Sequence, residues 1–372
     1  MAKLHSIEIS GFKSISPDSP VRLELGDVTV LLGANGSGKS NIIAFFKMLN
    51  FMMSGSLQSF VAERGGSQAF LHYGSSKTKS ISGRLSFIND RIENQYEFTL
   101  SYASPDNLII TSEITEVNDK EGREPSKKLH QVTFRESVLS GNPDNKVLKV
   151  IHRILSNCKV YQFHDSSETS GMRNACNVDF DNYLQAEANN LAAFLYRIQR
   201  NFPNDYNRIV SYVKLVVPQF KDFVLEPQGH RILLRWRDNS ASDYIFMPNQ
   251  FSDGSIRFIA LATLLMQPQS IIPNVIIIDE PELGLHPYAI SQLAAMIKES
   301  SKHSQVLVAT QSPYLINEFD ADDVVIVENA KLNNMYDETS LHKLSSNALE
   351  GWLSEYSLSE LRDKNIIGGR PE

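Results

Sequence analysis

The start of the chain combines strand-like and helix-like patterns of apolar positions. Residues 3–10 and 21–25 alternate apolar and polar side chains, which predicts strands with one buried face. Residues 28–32 form a continuous apolar run, which is typical of a strand buried on both faces. After a glycine-rich stretch, residues 40–53 place apolar side chains at helical spacing. The predicted order is therefore strand, loop and helix.

The middle of the chain carries a second set of strand-like segments. Short runs within residues 81–136 predict an antiparallel β-subdomain, with residues 119–128 as an exposed hairpin tip. Residues 159–163 predict a short strand, and residues 182–217 follow a helical pattern that Pro203 interrupts.

The last third of the chain alternates strands and helices, as α/β proteins do. Residues 252–266 and 287–300 predict helices, and residues 275–279 predict a buried strand of the parallel type. The pattern therefore indicates an α/β fold with a mainly parallel core sheet. The other predicted segments of this half are strands at 223–247, 305–310 and 323–328 and a helical tail from 346.

Composition places the chain among ordinary globular proteins. Its 372 residues are enough for two domains or for one large α/β domain with insertions. Apolar residues at 42% and charged residues at 21% exclude a disordered, collagen-like or coiled-coil chain. No apolar stretch of about 18 residues occurs, so we expect no membrane partner, and the pattern of the first residues leads us to expect no signal peptide. Two cysteines, Cys158 and Cys176, suggest free thiols, and we expect a cytoplasmic protein.

Charge is distributed unevenly along the chain. The net charge of −7 argues against a protein that coats nucleic acid over its whole surface. Residues 120–160 hold nine Lys or Arg and four Asp or Glu, whereas residues 279–372 hold seven and sixteen. Either a local basic face or a solvated β-subdomain with several lysines explains the basic stretch.

Residues 33–40 fit the phosphate-binding pattern G-x-x-x-x-G-K-[ST] in full, between an apolar strand and a helix. Glycines let backbone N–H groups turn inward around phosphate oxygens, and the helix points its positive end at the same anions. We expect Lys39 to bridge the β- and γ-phosphates of ATP and Ser40 to ligate Mg²⁺. The alternative is a glycine-rich turn that matches by chance. The residues expected to hold the nucleotide are Gly33, Asn35, Gly36, Ser37, Gly38, Lys39, Ser40 and Asn41.

Two adjacent carboxylates follow the apolar run at 275–278. Asp279 lies at the carboxyl end of the predicted strand, where it can hold Mg²⁺ through water. Glu280 is the candidate base that orients the attacking water. Acidic residues at strand ends also cap helices, but the upstream phosphate loop favours the catalytic interpretation.

A further anion-binding segment, Phe251–Ser255, opens a predicted helix shortly before Asp279. A serine hydroxyl and backbone N–H groups at a helix N-terminus can clamp a γ-phosphate, and we assign the clamp to Ser252, Asp253 and Gly254. Alone, such a segment is a common helix cap. It resembles a variant of the LSGGQ signature of ABC-type ATPases, in which the other subunit binds the phosphate.

Four segments together resemble the RecF/SMC-like branch of the ABC-type ATPases. They are GANGSGKSN at 33–41, FSDGSIRFIALATLL at 251–265, IIIDEPELGLHPYAI at 276–290 and ATQSPYLI at 309–316. More narrowly, the chain from Ile7 to Gly369 is similar to bacterial "AAA family ATPase" proteins of this length, which are relatives of ATPase subunits in antiphage defence systems.

The resemblance implies an ABC-type P-loop ATPase head with a mainly parallel core sheet, an antiparallel β-subdomain and an inserted helical subdomain. The implied domains are an N-terminal ATPase lobe at 1–163, an inserted helical and β lid subdomain at 164–250, and a C-terminal ATPase lobe at 251–372.

The resemblance also implies roles for single residues. Gln162 occupies the place of the Q-loop, which senses Mg²⁺ and γ-phosphate, and Arg64 that of an arginine after the P-loop helix. Residues 283–286 occupy the D-loop, and Lys13 lies in a turn that the family keeps near the base of the nucleotide, so Lys13 is an expected nucleotide-binding residue. An interior glutamine, a solvated arginine and a helix-capping His286 are the alternatives.

Two positions depart from the family pattern. Gln311 replaces the switch histidine, and an amide can hydrogen-bond the γ-phosphate but cannot carry a proton. Slow hydrolysis is therefore our hypothesis. Asp253 replaces the usual second signature residue, and its carboxylate puts the strength of the phosphate clamp in doubt. The expected catalytic residues are Glu280, Lys39 and Gln311, and the expected metal ligands are Ser40, Asp279 and Gln162.

These residues favour an ATP-dependent switch that works as a homodimer or a higher even-numbered oligomer. ATP would be held between two subunits, and hydrolysis through Glu280 would open the dimer. From the resemblance alone, the output would be control of a separately encoded effector, a nuclease or toxin in antiphage defence.

A RecF-like module that binds DNA in repair or maintenance is the alternative function. Nucleic acid therefore stays open as a partner, and a third possibility, a scaffold without hydrolysis, is disfavoured because the P-loop lysine and both carboxylates are present. The phosphate contacts would come from the basic stretch 120–160 and from Arg197, Arg200, Arg208 and Lys214.

Overall fold

The structure is a computed structural model of the chain. It describes residues 2–89, 92–119, 126–130, 135–141, 145–240, 243–332 and 336–369.

Seventeen strands occur in the described ranges. In chain order they are β1 (Lys3–Ser10), β2 (Val21–Glu24), β3 (Val28–Leu32), β4 (Ser80–Ile88), β5 (Ile92–Ala103), β6 (Asn107–Asp119), β7 (Ser126–Leu129), β8 (Cys158–Tyr161), β9 (Cys176–Asn177), β10 (Phe220–Val224), β11 (Arg231–Ile232), β12 (Arg235–Asp238), β13 (Ile245–Phe246), β14 (Val275–Asp279), β15 (Gln305–Thr310), β16 (Val324–Leu332) and β17 (Tyr336–Lys343).

Ten α-helices connect these strands within the same ranges. They are α1 (Lys39–Met53), α2 (Leu57–Glu63), α3 (Lys146–Ser156), α4 (Leu191–Asn201), α5 (Pro203–Val216), α6 (Asp253–Leu265), α7 (Pro287–Ser300), α8 (Pro313–Ile316), α9 (Glu350–Leu353) and α10 (Leu358–Asp363).

The core sheet brings the predicted phosphate and carboxylate segments to one edge. Its strand order is β17-β16-β3-β15-β14-β8, and all neighbours are parallel except the antiparallel pair β16–β17. β3, β14 and β15 are buried along their whole length, as their apolar sequences predict. Because the strands run in one direction, the loops after β3, β14, β15 and β8 meet at the carboxyl edge, where α/β sheets bind ligands.

A second, antiparallel sheet packs over one face of the core sheet. Its strand order is β2-β1-β4-β5-β6-β7, and it shares an apolar cluster with α1, α2 and α3. Leu31 of β3 belongs to this cluster, whereas Val30 and Leu32 belong to the cluster on the opposite face. Because side chains alternate along β3, this strand contributes to the apolar clusters on both faces of the core sheet.

Helices α4 to α7 cover the opposite face of the core sheet together with two small sheets, β10-β12-β13 and β9-β11. Aromatic side chains organise this layer around Trp236, whose ring stacks on Phe251 with centroids 4.6 Å apart. Phe251 is buried and directly precedes the predicted phosphate clamp. The small sheet therefore anchors the segment that leads into α6.

The predicted fold class is confirmed, with an antiparallel subdomain and a helical insertion beside a mainly parallel sheet. The predicted segments at 3–10, 28–32, 252–266 and 275–279 correspond to β1, β3, α6 and β14 within a residue or two. No helix in the described part of the chain is long and apolar enough to cross a membrane.

Several local predictions are wrong. The helical pattern at 182–217 forms helix only from Leu191, because the Asn190 side chain donates to the carbonyls of Phe180 and Tyr183 and holds the preceding segment in a loop. The predicted hairpin tip at 119–128 is not among them, because residues 120–125 lie outside the described ranges and the flanking strands β6 and β7 pair antiparallel. The tail forms two short helices, and neither α3 nor β17 was predicted.

Candidate functional site

The loop between β3 and α1 has the backbone that phosphate binding requires. Gly36 and Gly38 have φ angles of 82° and 108°, which glycine adopts at little cost. The Lys39 ammonium donates to the carbonyl oxygens of Gly33 at 2.7 Å and Ala34 at 2.8 Å, so the side chain lies along the loop. Burial lowers the pKa of Lys39, while the carboxylates of Glu280 and Asp279 oppose that shift. The positive charge of Lys39 thus lies near the carboxylates of Glu280 and Asp279.

Strand β17 and the turn after β1 support the phosphate loop from outside. Thr339 Oγ1 donates to the Ser37 carbonyl at 3.3 Å, and it lies 2.6 Å from Ser14 Oγ. Asn41 Nδ2 donates to the same Ser14 hydroxyl at 2.6 Å. A Cβ at Gly38 would overlap Thr339, so only glycine fits there. Asn41 therefore fixes the loop through Ser14.

Asp279 is held by the residue that follows β8. Gln162 Nε2 donates to Asp279 Oδ2 at 2.8 Å, and Gln162 Oε1 accepts from the Lys47 ammonium at 2.7 Å. Lys47 thereby selects which end of the amide faces Asp279. The structure thus brings the predicted Q-loop residue to the predicted metal-binding carboxylate, with Gln162 as an orienting partner whose oxygen faces Lys47.

Glu280 adopts a strained backbone conformation. Its φ of 44° lies in the left-handed region, which residues other than glycine seldom adopt. The Glu280 amide donates to the Ala309 carbonyl at 2.8 Å, and this bond ties it to β15. Gln311 Nε2 lies 3.5 Å from Glu280 Oε1, so the candidate base and the residue in the switch position are neighbours. Strain of this kind is typical of functional sites.

Glu282 is a buried carboxyl that the sequence did not single out. It accepts a hydrogen bond from the Thr310 hydroxyl. Burial raises its pKa above the usual value, and the nearby Glu280 carboxylate adds to the shift. Glu282 thus couples the end of β15 to the loop after β14.

The predicted clamp forms the N-terminus of α6. Ser252 is the N-cap, and its hydroxyl accepts from the Ser255 amide at 3.1 Å. Gly254 packs against the backbone of the predicted D-loop, because a Cβ at 254 would lie 2.5 Å from the Gly284 carbonyl oxygen. Ser252 therefore caps α6 and is also the residue that we predicted to clamp the phosphate.

Arg257 joins two loops to helix α6. Its guanidinium donates to the carbonyls of Leu283 at 2.9 Å and His164 at 2.7 Å. His286 is the N-cap of α7 and accepts from the Tyr288 amide, so the helix-capping alternative describes its contact. Arg257 thus ties the loops after β8 and β14 to α6.

Arg64 lies near two lysines of the site, Lys13 and Lys47. Arg64 stands close enough to lower the pKa of both Lys13 and Lys47, although burial is the larger cause for each lysine. Arg64 also lies 5.4 Å from the Phe60 ring centroid. The structure thus places Lys13 and Arg64 in one cationic cluster on the P-loop side of the site.

The donor set fits Mg²⁺. Asp279 offers a carboxylate that is largely buried, and Ser40 offers an exposed hydroxyl in the first turn of α1. Hard oxygen donors of this kind suit a small divalent cation, which keeps several of its waters. When bound with ATP, such an ion neutralises phosphate charge.

The sequence analysis did not single out Lys47 and Arg362, whose contacts position other residues of the site. Lys47 lies on the same face of α1 as Lys39, two turns further on, so helical spacing could have found it. Arg362 of α10 donates to the Gln311 carbonyl at 3.0 Å and to the Gly369 carbonyl at 3.0 Å. No local pattern marks the contact of Arg362 with Gln311, because the two residues are 51 positions apart in sequence.

The phosphate loop after β3, the carboxylates after β14 and the serine-capped α6 define an ABC-type P-loop ATPase head. The fold agrees with solved structures of SMC heads. An SMC head bound to the C-winged helix domain of ScpA is 18% identical with a TM-score of 0.59, covering 93% of this chain and 99% of that chain. The Smc head of Pyrococcus furiosus is also 18% identical, with a TM-score of 0.57 and coverage of 95% and 99%.

The sequence comparison gives the family. The profile described as "AAA domain, putative AbiEii toxin, Type IV TA system" matches residues 28–317, and the chain belongs to this family. A search of curated protein sequences finds no significant match.

Proposed function

We propose that the chain is an ATP-driven switch that dimerises around ATP and Mg²⁺. In this dimer, residues 33–41 of one copy and the clamp of the other hold the same nucleotide. The observation that carries the proposal is the outward position of the clamp. Ser252 and Asp253 are exposed, and within the described ranges, which include both segments, no hydrogen bond joins the clamp to the phosphate loop of its own chain.

Hydrolysis is assigned to the residues around the end of β14. Glu280 orients the attacking water and accepts its proton, Lys39 stabilises charge on the phosphates, and Asp279 with Ser40 holds the metal ion. Gln311, beside Glu280, replaces a group that could carry a proton, so we expect slow turnover. Loss of the γ-phosphate would remove the contacts that favour the closed dimer.

The proposed output is control of a separately encoded effector in the cytoplasm, a nuclease or toxin in antiphage defence. The family description names a toxin–antitoxin system, and the SMC head of one solved structure is bound to a domain of another protein, ScpA. On this proposal, the ranges 1–163, 164–250 and 251–372 are the working units of the switch.

A RecF-like DNA-binding ATPase is the second candidate. Lys146, Lys149 and Arg153 favour it, because they form an exposed stripe along α3. Against it, Arg197 and Arg208 donate to backbone carbonyls of this chain. The basic residues at 120–125 lie outside the described ranges.

The test is the light-scattering mass of Glu280→Gln with and without Mg²⁺-ATP. Because the amide cannot act as a base, bound ATP should persist and the mass should double. Lys39→Ala, which loses the phosphate contact, and Ser252→Arg, which blocks the clamp, should stay monomeric. A mass that ignores ATP in all variants would refute the ATP-held dimer. Duplex DNA added to the trapped dimer at several salt concentrations separates the two functions, because phosphate binding weakens steeply with salt.

A further inference from the structure

Asp253 poses an electrostatic problem for the proposed clamp. It is the first residue of α6, and its side chain is 68% exposed at the helix end that would meet a γ-phosphate. A carboxylate stabilises the N-terminus of its own helix. The same charge repels an incoming phosphate, so an uncompensated Asp253 would weaken the clamp.

Arg173 compensates this charge from a buried position. Its side chain is only 5% exposed, and Nη2 donates to Asp253 Oδ1 at 2.8 Å. Arg173 belongs to the loop that follows Gln162, so it reaches the clamp from the metal-sensing side of the site. The local charge of the pair is zero.

The same guanidinium also fixes the backbone around the clamp. Nη1 donates to the carbonyls of Pro248 at 2.6 Å and Phe251 at 3.0 Å, and Nε donates to the Ser166 carbonyl at 2.8 Å. A planar group with five N–H donors can serve four acceptors at once, whereas a lysine ammonium cannot match this geometry. Arg173 therefore ties the Gln162 loop, the approach to α6 and Asp253 together.

We propose that Arg173 is a positioning residue for the phosphate clamp, which it makes competent by neutralising Asp253 and by fixing the segment 248–253. This inference rests on the proposed function. It explains how a signature that carries a carboxylate can still accept a γ-phosphate from a second copy. It also links the clamp to the loop that follows Gln162 through one buried side chain, which donates to the Ser166 carbonyl.

The experiment is a double-mutant cycle in the Glu280→Gln background, with Arg173→Met, Asp253→Asn and both changes. ATP binding to the monomer is measured with a fluorescent ATP analogue, and ATP-induced dimerisation is measured from the mass against protein concentration. Arg173→Met should leave monomer binding unchanged and weaken dimerisation by about 10-fold or more. Asp253→Asn in addition should restore a large part of it, because the unpaired carboxylate is gone.

Two further variants show that the effect belongs to this residue. Arg231→Met removes an exposed arginine that donates to the Ala175 carbonyl, near the same loop but away from Asp253, and should dimerise like the parent. Arg173→Lys restores the charge without the carbonyl contacts and should recover dimerisation only in part.

If Arg173→Met weakens ATP-induced dimerisation equally with and without Asp253→Asn, the proposed pairing is overturned. It is also overturned if Arg173→Met dimerises as tightly as the parent. If Glu280→Gln itself gains no mass with ATP, the proposed function fails, and hydrogen exchange of the nucleotide-free chain then decides the inference. Faster exchange at 252–256 in Arg173→Met but not in Arg231→Met supports the positioning role. Unchanged exchange overturns it.

Discussion

The close approach of the clamp to the D-loop makes Gly254→Ala a sharp test of the site. In most helices this change is stabilising, by up to about 1 kcal/mol. Here the new Cβ would lie 2.5 Å from the Gly284 carbonyl oxygen, well inside the 3.4 Å of an ordinary contact. That oxygen is a backbone atom and cannot rotate away. The neighbouring Leu283 carbonyl is held by Arg257 and the Leu285 amide by the Glu282 carbonyl, so the D-loop resists displacement.

We therefore expect Gly254→Ala to lower the free energy of unfolding by about 1–3 kcal/mol, the usual cost of overpacking. Gly351→Ala is the matched control, because Gly351 is also the second residue of its helix, α9, and its added Cβ meets open space. It should be neutral or stabilising by up to about 1 kcal/mol.

Urea denaturation of the nucleotide-free chain measures both variants by linear extrapolation. Gly254→Ala should be less stable than the parent, and Gly351→Ala should be at least as stable as the parent. If the free energy of unfolding of Gly254→Ala is as large as that of Gly351→Ala, the close contact between the clamp and the D-loop is refuted. The ATP-induced dimer of Gly254→Ala should also be weaker, because the overpacked residue lies within the phosphate clamp itself.

Two further predictions concern buried groups of the site. Burial raises the pKa of Glu282 above its ordinary value of 4.5, so its carboxyl favours the folded chain most below that value, and this contribution is lost as pH rises through the raised pKa. Glu282→Gln should flatten that fall in denaturation midpoints measured from about pH 4 upward. Lys47→Met should raise the Mg²⁺ concentration needed for half-maximal ATP turnover by about 10-fold, because Gln162 loses the contact that orients its amide toward Asp279. Metal titrations check this, with Lys149→Met on the exposed face of α3 as the control, and equal requirements in the two variants would contradict it.

The sequence by itself determined the parts of the site that are contiguous. The phosphate loop needs glycines, a lysine and the start of a helix within eight positions, and the carboxylates need only the end of a buried strand. Apolar patterns identified β3 and β14 as continuous buried runs and α6 by its helical spacing, because these signals also lie within one short segment.

Only the tertiary structure decided how these parts are held. Gln162 reaches Asp279 and Arg173 reaches Asp253 across long stretches of chain, and no local pattern specifies such pairs. Strand β17, which supports the phosphate loop through Thr339, has no apolar alternation strong enough to predict it. The reason is physical: a local pattern reports which face of an element is buried, whereas the partner of a polar side chain depends on which loops the sheet order brings together.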